Sequence, residues 1–131
     1  MSLTEPAQSR RIHRILLVED DADIREAVAT VLGMEGFIVT EAGNGEEALQ
    51  KLRAGPRPDL ILLDIGMPGK DGVQFRREQE NDPRYTNIPV IVMTANNQAD
   101  YRRLQIGAKA ALKKPFEVRE LIATVRRHLA D

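Results

Sequence analysis

The stretch Leu60-Ile61-Leu62-Leu63-Asp64-Ile65-Gly66-Met67-Pro68-Gly69 decides how this 131-residue chain folds. Four consecutive apolar residues predict a strand buried on both faces, as in a parallel sheet covered by helices. The run ends on a carboxylate, and the Gly/Pro-rich segment after it cannot begin a helix at once. Ile15-Leu16-Leu17-Val18 and Val90-Ile91-Val92-Met93 repeat the pattern. Phe37-Ile38-Val39-Thr40 is shorter and fades into polar residues, which places it nearer a sheet edge. Ala110-Ala111-Leu112 is read as a fifth strand from its position in the alternation.

Helical periodicity separates the runs. Ile24, Val28, Val31 and Leu32 share one face of a helix over Ala22–Met34, and Gly36 ends it. Ala48, Leu49 and Leu52 mark a second helix before Gly55-Pro56. Val118, Leu121, Ile122, Val125 and Leu129 form the apolar stripe of a final helix. Residues 72–81 keep only Val73 and Phe75 as large apolar residues, and residues 98–106 offer Tyr101, Leu104 and Ile106 without a clean stripe. Five strands alternating with five helices predict a flavodoxin-like, doubly wound (βα)5 sandwich, with a parallel sheet in strand order 2-1-3-4-5. Residues 1–13 read as a polar leader, flexible or carried over from an expression vector, and 14–131 as the one domain. The segments 56–58 and 82–87 read as ordinary surface loops.

Composition narrows the function classes. Nineteen basic and 20 acidic residues leave a formal charge of −1, so no strong overall field draws the chain to nucleic acid or membrane. The absence of cysteine excludes a disulfide framework, a thiolate nucleophile and a zinc–cysteine site. Apolar runs of four or five residues are far below the roughly 20 that span a bilayer. A cytoplasmic location is the expectation.

Open α/β sheets bind ligands at the carboxyl edge of their strands. Glu19, Asp20 and Asp21 follow the first strand, Asp64 the third, Thr94 the fourth, and Lys113 and Lys114 the fifth. Each has a bland reading alone: Asp21 or Asp23 caps the first helix, Thr94 is a turn residue, Lys114 a solvated charge. Four polar ends at one edge argue for a site. Crowded carboxylates call for a cation, and an oxygen donor set without His or Cys suits Mg²⁺. A carboxylate beside Mg²⁺, a lysine and a hydroxyl is equipped to attack a phosphoryl group and become an aspartyl phosphate.

These residues resemble the receiver domains of two-component response regulators over nearly the whole chain from Arg14 to Leu129. The motifs are ILLVEDD (15–21), DLILLDIGMPGKDG (59–72), IPVIVMTA (88–95) and KPF (114–116). The resemblance implies that Asp64 is the phosphoacceptor. Asp20 would bind Mg²⁺ directly, Glu19 mainly through water, and the Gly66 carbonyl would be a third protein ligand. Thr94 and Lys114 would hold phosphoryl oxygens, and Lys114-Pro115 would be cis. A sensor histidine kinase or histidine phosphotransfer protein would be the donor partner. The chain departs from the family at Ala111, where many members carry a switch Tyr or Phe. Gly66 is small where many are polar, the segment 94–107 is about two residues short, and Gln79 replaces a common apolar residue. With Ala111 unable to report the phosphorylated state, the motion is expected in residues 95–106, with the fifth strand almost still.

Rival readings are weaker. A haloacid-dehalogenase-like phosphatase wants Asp-x-Asp just after the first strand, and Asp21-Ala22-Asp23 has that spacing but opens the first helix. The acidic Glu19-Asp20-Asp21 does not suit a flavodoxin phosphate loop, and no GxGxxG or GxxxxGKS/T motif occurs. The intact cluster with Lys114 argues against a pseudo-receiver binding module. His13 and His128 read as solvated. Charge is uneven, with a balance of −5 over residues 1–98 and +4 over 99–131. The basic part is a solvated face or, as the resemblance favours, a contact face (95–131) for a downstream protein. A phosphorylation-dependent homodimer is a further option, while direct nucleic-acid binding is not supported.

Overall fold

The computed structural model describes residues 12–66, 72–95 and 107–129. Within them five strands alternate with helices: β1 (Arg14–Val18), α1 (Ala22–Met34), β2 (Ile38–Ala42), α2 (Gly45–Ala54), β3 (Leu60–Asp64), α3 (Gly72–Glu80), β4 (Val90–Thr94), β5 (Ala110–Lys113) and α4 (Val118–Arg127). The helix expected over 98–106 lies outside the described residues. The strands are all parallel, in the order β2-β1-β3-β4-β5.

Every residue of β3 and β4 is buried, as their unbroken apolar runs require. Side chains of one strand alternate between two cores. Leu16, Val18, Ile61 and Leu63 pack with α2 and α3, whereas Ile15, Leu17, Leu60 and Leu62 pack with α1 and α4. The edge strand β2 starts one residue later than its apolar letters suggest and ends two later, at Ala42, with Ile38, Thr40 and Glu41 exposed. Pairing to β1 through the register Arg14↔Ile38 to Val18↔Ala42 fixes it there. Backbone pairing begins just ahead of β1, where the Ile38 N–H donates to the His13 carbonyl at 3.0 Å.

Local signals set the helix starts. Asp21 caps α1 by accepting from the Asp23 and Ile24 N–H groups at 3.0 and 3.1 Å. Asn44 caps α2 through the Glu47 N–H, and Glu47 reaches back to the Gly43 N–H at 2.6 Å. Gly36 takes φ +94°, a left-handed turn that releases the chain from α1 into β2.

Three expectations need correction. Val118, placed on the apolar stripe, is 56% exposed, while Thr124 takes a buried position on α4. His13 and His128 are both half-buried rather than freely solvated, and His128 Nδ1 lies 2.9 Å from the Thr124 carbonyl. The segment 82–87 is not merely surface loop, because it buries Tyr85 beneath α3.

The thin inner face of α3 has a polar explanation. Gln79 is fully buried, and its Nε2 donates to the Tyr85 carbonyl at 2.6 Å, with the Ile88 carbonyl at 3.4 Å. Its Oε1 accepts from the buried Arg76 Nη1 at 2.8 Å. These bonds satisfy the amide and tie α3 to the chain entering β4, which an apolar residue could not do.

Candidate phosphoacceptor site

The parallel sheet brings the C-terminal ends of β1, β3, β4 and β5 to one edge. Glu19, Asp20 and Asp64 each offer a carboxylate oxygen, and these lie within 4.8 Å of one another. Glu19 and Asp64 are buried and Asp20 is exposed, so the cluster opens towards solvent on the Asp20 side. Oxygen donors alone at this spacing fit a hard divalent cation.

Lys114 supplies the positive charge. Its Nζ lies 2.6 Å from Glu19 Oε1 and 3.3 Å from Asp64 Oδ2. The short contact to Glu19 is an ion pair with poor hydrogen-bond direction at Oε1. The backbone aims this lysine: the Lys114 N–H donates to the Thr94 carbonyl at 2.8 Å, and the Lys114–Pro115 peptide is cis. Thr94 itself is buried at the end of β4, one position beyond the Asp64↔Met93 pair. Ala111 is half-buried in β5 opposite Val92.

Asp64 is held from its own loop, where the Gly66 N–H donates to Oδ1 at 2.9 Å. A Cβ on Gly66 would stand 3.6 Å from that oxygen, an ordinary contact, so nothing forces glycine there. Gly72 is different. A Cβ there would come within 2.7 Å of both the Asp64 carbonyl oxygen and Ile65 Cα, so the first turn of α3 sits directly on the end of β3. Residues 67–71, Met67 among them, lie outside the described residues.

Burial pushes the Glu19 carboxyl up from its usual 4.5 to about 7; Lys114 opposes the rise and Asp64 adds to it. Burial works against the Lys114 charge, but Glu19 and Asp64 together outweigh it and hold that ammonium's pKa above the ordinary lysine value. The site thus keeps a charged lysine beside a carboxylate that is unusually ready to take a proton.

Sequence reasoning missed two supporting residues. Arg25 donates from Nη1 to the Glu19 carbonyl at 2.9 Å and pairs through Nε with Glu41 at 3.3 Å, pinning the turn between β1 and α1. The close seat of Gly72 was quoted only as part of a motif. An arginine one helical turn into α1 carries no signal of its own, because its partners are a carbonyl and an edge-strand residue.

Residues 15–126 match the family model described as the response regulator receiver domain. This chain belongs to that family. The phosphate regulon transcriptional regulatory protein PhoB of Escherichia coli is 41% identical to the receiver over 115 residues, covering 86% of this chain and 50% of PhoB. The chain thus spans about half the length of the curated relatives it matches. Among solved structures, the chemotaxis response regulator CheY4 of Vibrio cholerae is similar at TM-score 0.84 and 30% identity, covering 91% of this chain and all of that one. The response regulator TrrA of Thermotoga maritima, solved in complex with Mg²⁺-BeF, is similar at TM-score 0.80 and 34% identity, covering 90% and 100%. The flavodoxin-like sheet order expected of the receiver is the order observed. The phosphatase alternative is not favoured, because Asp21 is engaged in capping α1. No described helix is long and apolar enough to cross a membrane.

Proposed function

We propose that Asp64 is the phosphoacceptor of this receiver, taking a phosphoryl group from a phosphohistidine on a partner sensor kinase or phosphotransfer protein. The observation that carries this reading is the convergence of Lys114, Glu19 and Asp64 within ion-pair distance at the carboxyl edge. An Asp64 carboxylate oxygen forms the new O–P bond while the donor's N–P bond breaks, the electron pair staying on the imidazole nitrogen. Asp20 and Asp64 would hold Mg²⁺ directly, Glu19 through an intervening water, and the Gly66 carbonyl would complete the protein ligands. When bound, Mg²⁺ would neutralise charge on the transferring oxygens. Lys114, already shared between the two buried carboxylates, turns towards a phosphoryl oxygen once the new charge appears. The Thr94 hydroxyl donates to another. The Gly66 N–H fixes Asp64 Oδ1 and leaves Oδ2, on the Lys114 side, as the oxygen placed to attack.

The reaction is signalling rather than turnover: the domain assists only its own phosphorylation and dephosphorylation. Its output runs through a protein-contact face within 95–131, of which residues 96–106 lie outside the described residues. The test is transfer from a small phosphodonor. With Mg²⁺ the parent gains a phosphoryl group that Lys114→Ala accepts much more slowly; equal rates in the two proteins would remove Lys114 from the mechanism.

A further inference from the structure

The turn that carries Glu19 and Asp20 is held from outside the acid cluster. Glu19 gives its N–H to the Ala42 carbonyl at 3.0 Å, and its own carbonyl accepts from Arg25 Nη1 at 2.9 Å. Glu19 Oε2 accepts from the Asp21 N–H at 3.2 Å, and Asp21 goes on to cap α1. Asp20 differs from both neighbours. It is exposed, and among the described residues no hydrogen bond or ion pair reaches its side chain. Its carboxylate takes its aim from the backbone, and the carbonyl of the peptide joining it to Glu19 is fixed by Arg25.

Arg25 stands against the local field. It lies in the first turn of α1, where the helix dipole disfavours a base, and beside carboxylates that call for a divalent cation. The fold nevertheless builds it a seat. Nε pairs with Glu41 Oε1 at 3.3 Å, and the side chain is only 24% exposed. Gly43 leaves the guanidinium its room, since a Cβ there would stand 3.2 Å from Nη1.

We infer that Arg25 is a positioning residue for the cation site, holding the Glu19 carbonyl so that Asp20 stays turned towards Asp64. It rests on the proposed Mg²⁺ site of Glu19, Asp20 and Asp64. Charge and position predict opposite signs. As a charge alone, a guanidinium near a divalent cation repels it, so removing Arg25 would tighten Mg²⁺ binding. As a positioning group, its removal frees the peptide, lets the Asp20 carboxylate turn away from Asp64 and weakens binding. Groups that orient metal ligands without touching the metal commonly account for about tenfold or more in affinity.

Mg²⁺ titration followed by amide chemical shifts, with no phosphodonor and well below the melting temperature, separates the two. Arg25→Met keeps an unbranched stem and removes the donor; it should raise the Mg²⁺ dissociation constant by about tenfold. Arg25→Lys keeps a donor and the charge, and should recover part of that loss. Melts in chelator give the effect on folding separately. A role confined to stability would lower the melt of Arg25→Met and leave its Mg²⁺ dissociation constant at the parent value. That result overturns the inference, as do tighter binding by Arg25→Met and no recovery in Arg25→Lys. Asp20→Asn tells the two failures apart. Where the parent binds and Asp20→Asn does not, an unchanged Arg25→Met removes Arg25 alone. A parent that binds no Mg²⁺, or binds it no better than Asp20→Asn, overturns the cation site and the role of Arg25 with it.

Discussion

Replacing Glu19 with Gln isolates the electrostatic cost built into the site. The folded carboxyl titrates at about 7 against an ordinary 4.5, so the folded state binds this proton more tightly than the unfolded chain does. The resulting stability is complete below about pH 4.5 and is lost as pH rises through about 7. At about 1.36 kcal/mol per tenfold change in proton affinity, the metal-free protein loses on the order of 3 kcal/mol across this window. Gln keeps the shape and stays neutral, so the variant escapes the loss. In chelator, parent and Glu19→Gln should melt at similar temperatures near pH 5 and diverge towards pH 8. At that end the variant should melt higher by roughly 10 °C for a domain of this size. Groups elsewhere in the chain are common to both proteins and cancel in the difference. Parallel melting profiles from pH 5 to pH 8 would refute the claim that burial of this carboxylate governs the site.

The other predictions concern the cation, the scaffold and the response. Mg²⁺ should raise the parent's melting temperature near pH 8. Asp20→Asn, at an exposed position, should leave the metal-free melt almost unchanged but abolish most of the Mg²⁺ response. Gln79→Ala should cost roughly 2–3 kcal/mol in denaturant titration, because it removes two buried hydrogen bonds, one to the Tyr85 carbonyl and one from the charged Arg76, from a fully buried position. A loss within experimental error would remove that network from the account of α3. Amide chemical shifts recorded on adding beryllofluoride with Mg²⁺ should move most in residues 95–106 and little at 110–113, since Ala111 has no side chain to turn. The reverse pattern would contradict the reading of Ala111.

The parts of the fold legible in the sequence are those where burial leaves no choice of residue. Leu60-Ile61-Leu62-Leu63 is apolar throughout because β3 has helices on both faces, and its reading survives without adjustment. Edges are harder to read. Strand β2 carries Thr40 and Glu41 because one side meets solvent, so its letters fade while its backbone stays paired to Ala42. The site residues could be named because parallel strands end together, which turns four separate positions into one cluster. Arg76 and Gln79 were opaque for the opposite reason: both look like a solvated helix face until carbonyls from 85 and 88 fold beneath them. Val118 misled through periodicity, which gives the angular position of a side chain but not whether a neighbouring helix comes close enough to cover it.

Intact-mass measurement after incubation with acetyl phosphate and Mg²⁺ tests the assignment of Asp64 most directly. The parent should gain a single phosphoryl group that is lost on omission of Mg²⁺, and Asp64→Asn should gain none while keeping its fold. Equal labelling of parent and Asp64→Asn would contradict the account.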